Sequence, residues 1–176
     1  MIVIHDYNFI HPIIVHNVSP FVISLLEKAI HRGAVLLHGD LKRSNLLERA
    51  GILHVIDPKL CTGIVEMDIG KLLLRELLTT VDQEQTELVK SSSRFLQRYS
   101  GNRKLDTEEL EVTSIVLGLI ELQHLLRDPP RQGIDMLGDE MPRLYRRKNL
   151  VSHLCNEVLR DGKTLRIKDI SQLIEG

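Results

Sequence analysis

Residues 36–47 read Leu36-Leu37-His38-Gly39-Asp40-Leu41-Lys42-Arg43-Ser44-Asn45-Leu46-Leu47, and residues 53–59 read Leu53-His54-Val55-Ile56-Asp57-Pro58-Lys59. Apolar pairs bracket a polar loop at 38–45, and a second apolar run ends on an Asp-Pro turn signal. Short apolar runs bounded by such signals read as strands. The expectation is therefore short strands across 34–56 forming a hairpin around the loop. Three oxygen-bearing side chains then stand in a definite order: Asp40 in the loop, Asn45 five positions on, and Asp57 at the end of the following strand.

Outward from this stretch the pattern is helical. Ser19 is an expected N-cap with Pro20 at the first helical position, and Phe21, Val22, Leu25, Leu26, Ala29 and Ile30 recur at helical spacing until Gly33. Residues 2–18 lack such periodicity and read as irregular or extended. Their His5, His11 and His16 are spaced by six and five, which suits neither a helix face nor a strand face, so no metal is assigned there. Beyond Glu66, Met67, Ile69, Leu72, Leu73, Leu77 and Leu78 begin a helical run. Thr80 with Gln83 has the form of a capping box for a helix ending near Gly101, and Asp106 with Glu109 repeats the device ahead of Leu110. Ile115, Val116, Leu119, Ile120, Leu122 and Leu126 make that last helix so broadly apolar that it belongs in the centre of the core. Asp128-Pro129-Pro130 stops it, shorter helices follow over 139–148 and 150–160, and Asp161-Gly162 turns into the last segment. The sum is an α+β, mostly helical fold: one domain over 1–176, with a loop segment at 34–59 and a helical remainder at 66–176.

Composition narrows the partners. The 176 residues are 43% hydrophobic and 27% charged, which fits a folded chain rather than a disordered one. Tryptophan is absent and aromatics are 3%, so Leu, Ile and Val must fill the core. A formal net charge of -1 provides no large basic field for a nucleic-acid backbone. No apolar run approaches the roughly 20 residues a membrane-spanning helix needs. Cys61 and Cys155 show no metal-binding spacing, and no signal peptide is evident, so the expected setting is the cytoplasm. Arg143, Arg146, Arg147 and Lys148 form a small basic cluster beside Asp139 and Glu140, read as a solvated helix face.

Phosphoryl transfer asks an enzyme for one carboxylate at the acceptor hydroxyl and separate oxygen ligands for Mg²⁺ at the phosphates. A catalytic-loop Asp, an Asn five positions later and an Asp after the next strand meet that need in order. Asp40, Asn45 and Asp57 have this arrangement. With its His-Gly-Asp-Leu loop ending in Asn, and its metal-position Asp preceded by Ile and followed by Pro, the chain resembles the aminoglycoside phosphotransferase family. The Ile56-Asp57-Pro58-Lys59 form is most similar to the streptomycin and hydroxyurea phosphotransferase branch. The resemblance implies the C-terminal lobe of a protein-kinase-like fold, with ATP and Mg²⁺ as cofactors and a hydroxyl of a small molecule, antibiotic-like or metabolic, as acceptor. It makes Asp40 the catalytic base or hydroxyl-orienting group, and Asn45 and Asp57 the Mg²⁺ ligands. His38 and Asp68 would support the loop. Lys42 stands where the family more often has His and would lie near the transferred phosphate, and Gly39 replaces the arginine with which protein kinases answer a phosphorylated activation loop.

Kinases of this type carry a strand-borne lysine and its partner glutamate ahead of the catalytic loop. The 37 residues before His38 contain one lysine, Lys28, on an expected helix, and no glycine-rich loop. The expectation is thus a partial or truncated enzyme whose nucleotide-clamping lobe is lost, outside this chain through a misplaced start, or supplied by a separate chain. Two alternatives stand beside it: a non-catalytic binding or regulatory module derived from the kinase fold, and an atypical protein kinase of the RIO type or of the small archaeal and eukaryotic tRNA-modification kinase type. Pro58 after the metal-position Asp, and the many helices after Asp68, favour a small-molecule acceptor over the latter.

Overall fold

A computed structural model describes residues 2–4, 13–15, 18–80, 82–127 and 140–175. The fold is α+β and mostly helical. Strands β1 (Ile2–Ile4) and β2 (Ile13–Val15) pair antiparallel. His5, His11 and His16 lie outside the described residues, as do Asp128, Pro129, Pro130 and Asp139.

Helix α1 (Pro20–His31) starts as expected, with the Ser19 hydroxyl accepting the backbone N–H of Val22 at 3.3 Å. After it come β3 (Val35–Leu37), a 3₁₀ turn at Arg43–Asn45, β4 (Leu46–Arg49), β5 (Ile52–Val55) and β6 (Cys61–Gly63). The expected hairpin around the polar loop is not the pairing found. β4 pairs with β5 across a turn in which Ala50 and Gly51 both have positive φ, and β3 pairs antiparallel with β6, Leu37 opposite Cys61. The reason is local on one side and distant on the other. Two residues with φ > 0 give the backbone twist that a tight hairpin needs, whereas β3 finds its partner only after the chain has passed Asp57.

The helical remainder holds the core. Helix α2 (Glu66–Thr79) packs on α4 (Thr107–Arg127), and the contact is closest where glycines meet. A Cβ on Gly118 would lie 2.6 Å from the carbonyl oxygen of Gly70, so the two backbones approach with no side chain between them. Leu74 and Leu78 of α2 and Val116, Leu119 and Leu122 of α4 are fully buried. Each such side chain contributes about 1.5–3 kcal/mol. Every residue of α4 from Leu110 to Ile120 is buried, matching its expected central place. Its N-terminus follows the expected device too, since Glu109 N–H donates to Asp106 Oδ1 at 2.7 Å.

Thr80 closes α2, donating its N–H to the carbonyl of Glu76 at 2.9 Å, and helix α3 (Asp82–Arg103) follows; the expected capping box of Thr80 with Gln83 falls partly outside the described residues. Helices α5 (Glu140–Arg146) and α6 (Lys148–Cys155) follow, the latter running into a π turn at Asn156–Arg160, and α7 (Ile167–Glu175) ends the described chain. The Leu159 carbonyl accepts the Ser19 N–H at 2.8 Å, tying the start of α1 to this turn. Buried Glu111 of α4 accepts the N–H of Ile167 at 2.8 Å, which places a carboxylate at the start of α7. Arg32, just after α1, pairs with Glu66 and Glu109, so α1, α2 and α4 share one ionic junction behind the loop segment. Among the described residues no helix is long and apolar enough to cross a membrane.

Candidate functional site

Strand β3 delivers His38 and Gly39 to the first turn of α2. There the buried carboxylate of Asp68 accepts the His38 N–H on Oδ2 at 2.7 Å and the Gly39 N–H on Oδ1 at 3.1 Å. Backbone donors held by an ionised acceptor make strong, directional bonds. Lys71 lies three residues after Asp68 and therefore on the same helix face; its Nζ donates to the Gly39 carbonyl at 3.1 Å. Both polar atoms of Gly39 are thus held by one helix. Gly39 has φ +78°, and a Cβ there would overlap the carbonyl oxygen of Lys59. The Lys59 N–H donates back to the His38 carbonyl at 2.8 Å. Only glycine lets the loop and the 57–59 segment close this tightly.

The ring of His38 bridges the loop to the strand that precedes Asp57. Its Nε2 lies 2.9 Å from the Ile56 carbonyl, which can only accept, while its Nδ1 receives the Asp40 N–H at 3.3 Å. That pairing requires the neutral ring with its proton on Nε2. Asn45 is buried, and its Nδ2 donates to the Asp40 carbonyl at 2.9 Å. Because that carbonyl only accepts, the amide nitrogen faces it and Oδ1 turns the other way. The Asn45 carbonyl accepts the Ile56 N–H at 2.9 Å. Asp40, Asn45, His38 and Ile56 therefore form one hydrogen-bonded unit, and Asp57 is the next residue out of it. Asp57 is exposed with φ 54°, a left-handed conformation that Asp tolerates better than most residues. Among the described residues no ion pair engages its carboxylate.

Asp40 is in the opposite situation. Lys42 Nζ and Lys59 Nζ each lie 3.1 Å from the same oxygen, Oδ2. Burial works to raise the carboxyl, but hydrogen bonds from Lys59 and Lys42, with their charges, outweigh it and hold Asp40 below its usual value. Lys42 is largely covered, whereas the Lys59 side chain is 58% exposed.

The structure thus brings His38, Asp40, Lys42, Asn45 and Asp68 into direct contact with one another or with the loop backbone, and sets Asp57 at their edge. Among the described residues no hydrogen bond or ion pair joins Asp57 to Asp40 or Asn45 directly. Sequence reasoning singled out neither Lys59 nor Lys71. For Lys71 the available signal was its i,i+3 spacing from Asp68; for Lys59 it was only proximity to Asp57. Arg143, Arg146 and Lys148 are exposed, in keeping with the solvated-face reading, and Arg143 Nη1 also donates to the Thr79 carbonyl at 2.9 Å, satisfying the end of α2. Cys61 is half-buried on β6, with its sulfur against Gly39. Cys155 is buried, and burial pushes its thiol up to about 12, which leaves it protonated and unreactive.

For a metal, the donor set decides. No three His, Cys, Asp or Glu side chains gather to hold an ion among the described residues. Zinc would need three or four such ligands. Mg²⁺ keeps several waters and takes one or two protein oxygens plus phosphates, and the Asn45 Oδ1 with the unpaired Asp57 carboxylate fits that requirement. Comparison with known proteins gives no matching family model, no matching curated protein and no matching solved structure.

Proposed function

We propose that this chain is the catalytic and metal-binding part of an ATP-dependent phosphotransferase acting on a hydroxyl of a small molecule, built as the C-terminal lobe of a protein-kinase-like fold. The observation that carries the reading is Asp40: a carboxylate whose backbone is fixed by His38 and Asn45, flanked by two lysines, beside a second aspartate with no cationic partner among the described residues. Phosphoryl transfer uses such a division, because the protein chiefly positions groups and offsets charge.

Asp40 receives the acceptor hydroxyl. The acceptor oxygen forms a bond to the γ phosphorus, the bond to the bridging oxygen breaks with its electron pair leaving on ADP, and the hydroxyl proton passes to the Asp40 carboxylate. Lys42 offsets charge on the transferred phosphate. Asn45 and Asp57 hold Mg²⁺, which would supply charge neutralisation at the donor phosphates. His38, Asp68 and Lys71 keep Asp40 in place without touching substrate. A clamp for the remaining phosphates comes from a further lobe, and the surface beside the site suits such a cover: Leu36 is 71% exposed, and Ile52 and Leu53 are each 61% exposed.

The test is phosphate transfer from labelled ATP to a panel of hydroxyl-bearing antibiotics and metabolites. The expected result is a phosphate ester on at least one of them, with Asp40→Asn slowing turnover by about 100-fold or more, the scale of a lost acid–base group. Transfer that is undiminished in Asp40→Asn overturns the reading.

A further inference from the structure

Lys59 is anchored at its backbone, and its side chain reaches Asp40 from an exposed position. Its N–H is bonded to the His38 carbonyl, and its own carbonyl fills the space that a Cβ on Gly39 would need, so the Cα cannot drift from the loop. Its side chain is nevertheless 58% exposed, and its ammonium shares Asp40 Oδ2 with Lys42 at an equal 3.1 Å. Two ammonium groups thus converge on one carboxylate oxygen at the edge of the loop. An anion reaching that edge meets both. The same arrangement obstructs Asp40, because an oxygen already accepting from two lysines is poorly disposed to take a proton from a hydroxyl. Of the two lysines, Lys42 is 15% exposed, while Lys59 carries its ammonium on a long stem that is 58% exposed.

We infer that Lys59 is a ligand for the terminal phosphate of the donor, parked on Asp40 when no phosphate is bound, and that its move onto the phosphate releases Asp40 for the acceptor hydroxyl. The inference rests on the phosphotransfer reading and adds an order to it: donor first, acceptor second. It also makes Asp40 a competitor of the donor phosphate for one cation. Loss of the Asp40 charge therefore strengthens donor binding even as it abolishes transfer, an outcome that a merely structural Lys59–Asp40 ion pair would not give.

The experiment is a titration of the full chain with MgATP and with MgADP into the millimolar range, followed by amide NMR shifts. It compares wild type, Lys59→Gln, Lys59→Arg, Asp40→Asn and the Asp40→Asn/Lys59→Gln double variant. Wild type is expected to prefer ATP over ADP, and Lys59→Gln to lose about tenfold in ATP affinity, one charge-assisted contact, with ADP affinity unchanged. Lys59→Arg keeps most of the preference. Asp40→Asn binds ATP about fivefold more tightly with Lys59 in place and shows less gain without it, a coupling that the double variant isolates. Equal losses for ATP and ADP in Lys59→Gln, or an Asp40→Asn gain that persists in full without Lys59, overturn the assignment of Lys59 alone. No MgATP response in wild type overturns the phosphotransferase reading and this inference with it.

Discussion

The helical remainder and the loop segment are built on different principles. In the α2–α4 core, Leu74, Val116, Leu119 and Leu122 are fully buried and the backbones meet at Gly70 and Gly118. In the β4–β5 hairpin, Ile52, Leu53 and Val55 are all more than half exposed, and order comes from backbone hydrogen bonds and a short turn. One region is stable through packing. The other is held against it by a few polar anchors, chiefly Asp68 and Lys71. Asp40, Asn45 and Asp57 therefore sit on a segment with few buried apolar side chains that is fixed by polar anchors from α2.

Substitution should expose the contrast most strongly in the core. Leu119→Ala is expected to cost about 3 kcal/mol or more, as large-to-small changes at fully buried sites do, while Leu53→Ala stays within about 0.5 kcal/mol. Urea denaturation of both variants checks this, and similar losses would erase the distinction. The anchors come next. Asp68→Ala leaves the N–H groups of His38 and Gly39 without their acceptor, for an expected loss of about 2 kcal/mol, but the larger effect falls on phosphate transfer because the loop is no longer held. A stable but inactive Asp68→Ala is the signature; a variant as active as its parent would show that the loop needs no anchor.

Acid should produce the smallest effect. The folded-state carboxyl of Asp40 lies below its unfolded value, so its stabilising contribution is complete above the unfolded value near ~3.9 and is lost as pH falls through the lowered folded one. Replacing Lys42 and Lys59 together with Met removes the groups that lower it. The stability of that double variant should fall less steeply than that of the parent as pH drops below about 4. Parallel curves would mean that the lysines do not hold the carboxylate in solution.

Much of the packed region was legible in the sequence because its signals are local. Ser19-Pro20 starts α1, Asp106 sets the start of α4, and the unbroken apolar face of α4 announces its burial. The loop segment was legible only as a set of residues, not as a connection. Nothing within a few positions of Val35 says that its strand partner begins at Cys61, because that pairing is chosen by contacts across the chain. Lys59 and Lys71 were passed over for the same reason as β6. Their partners, Asp40 and the Gly39 carbonyl, are neighbours only after folding.

The central claim is that residues 36–59 form a site for a metal-bound nucleotide, and Mg²⁺-dependent ATP binding in wild type and Asp57→Asn tests it most directly. With calorimetry or amide shifts as readout, wild type should bind ATP more tightly when Mg²⁺ is present, with the perturbed amides clustered around Gly39, Asn45 and Asp57. In Asp57→Asn that dependence on Mg²⁺ should disappear while the fold persists. Mg²⁺-dependent binding of equal strength in both proteins, or none in wild type, would contradict the account.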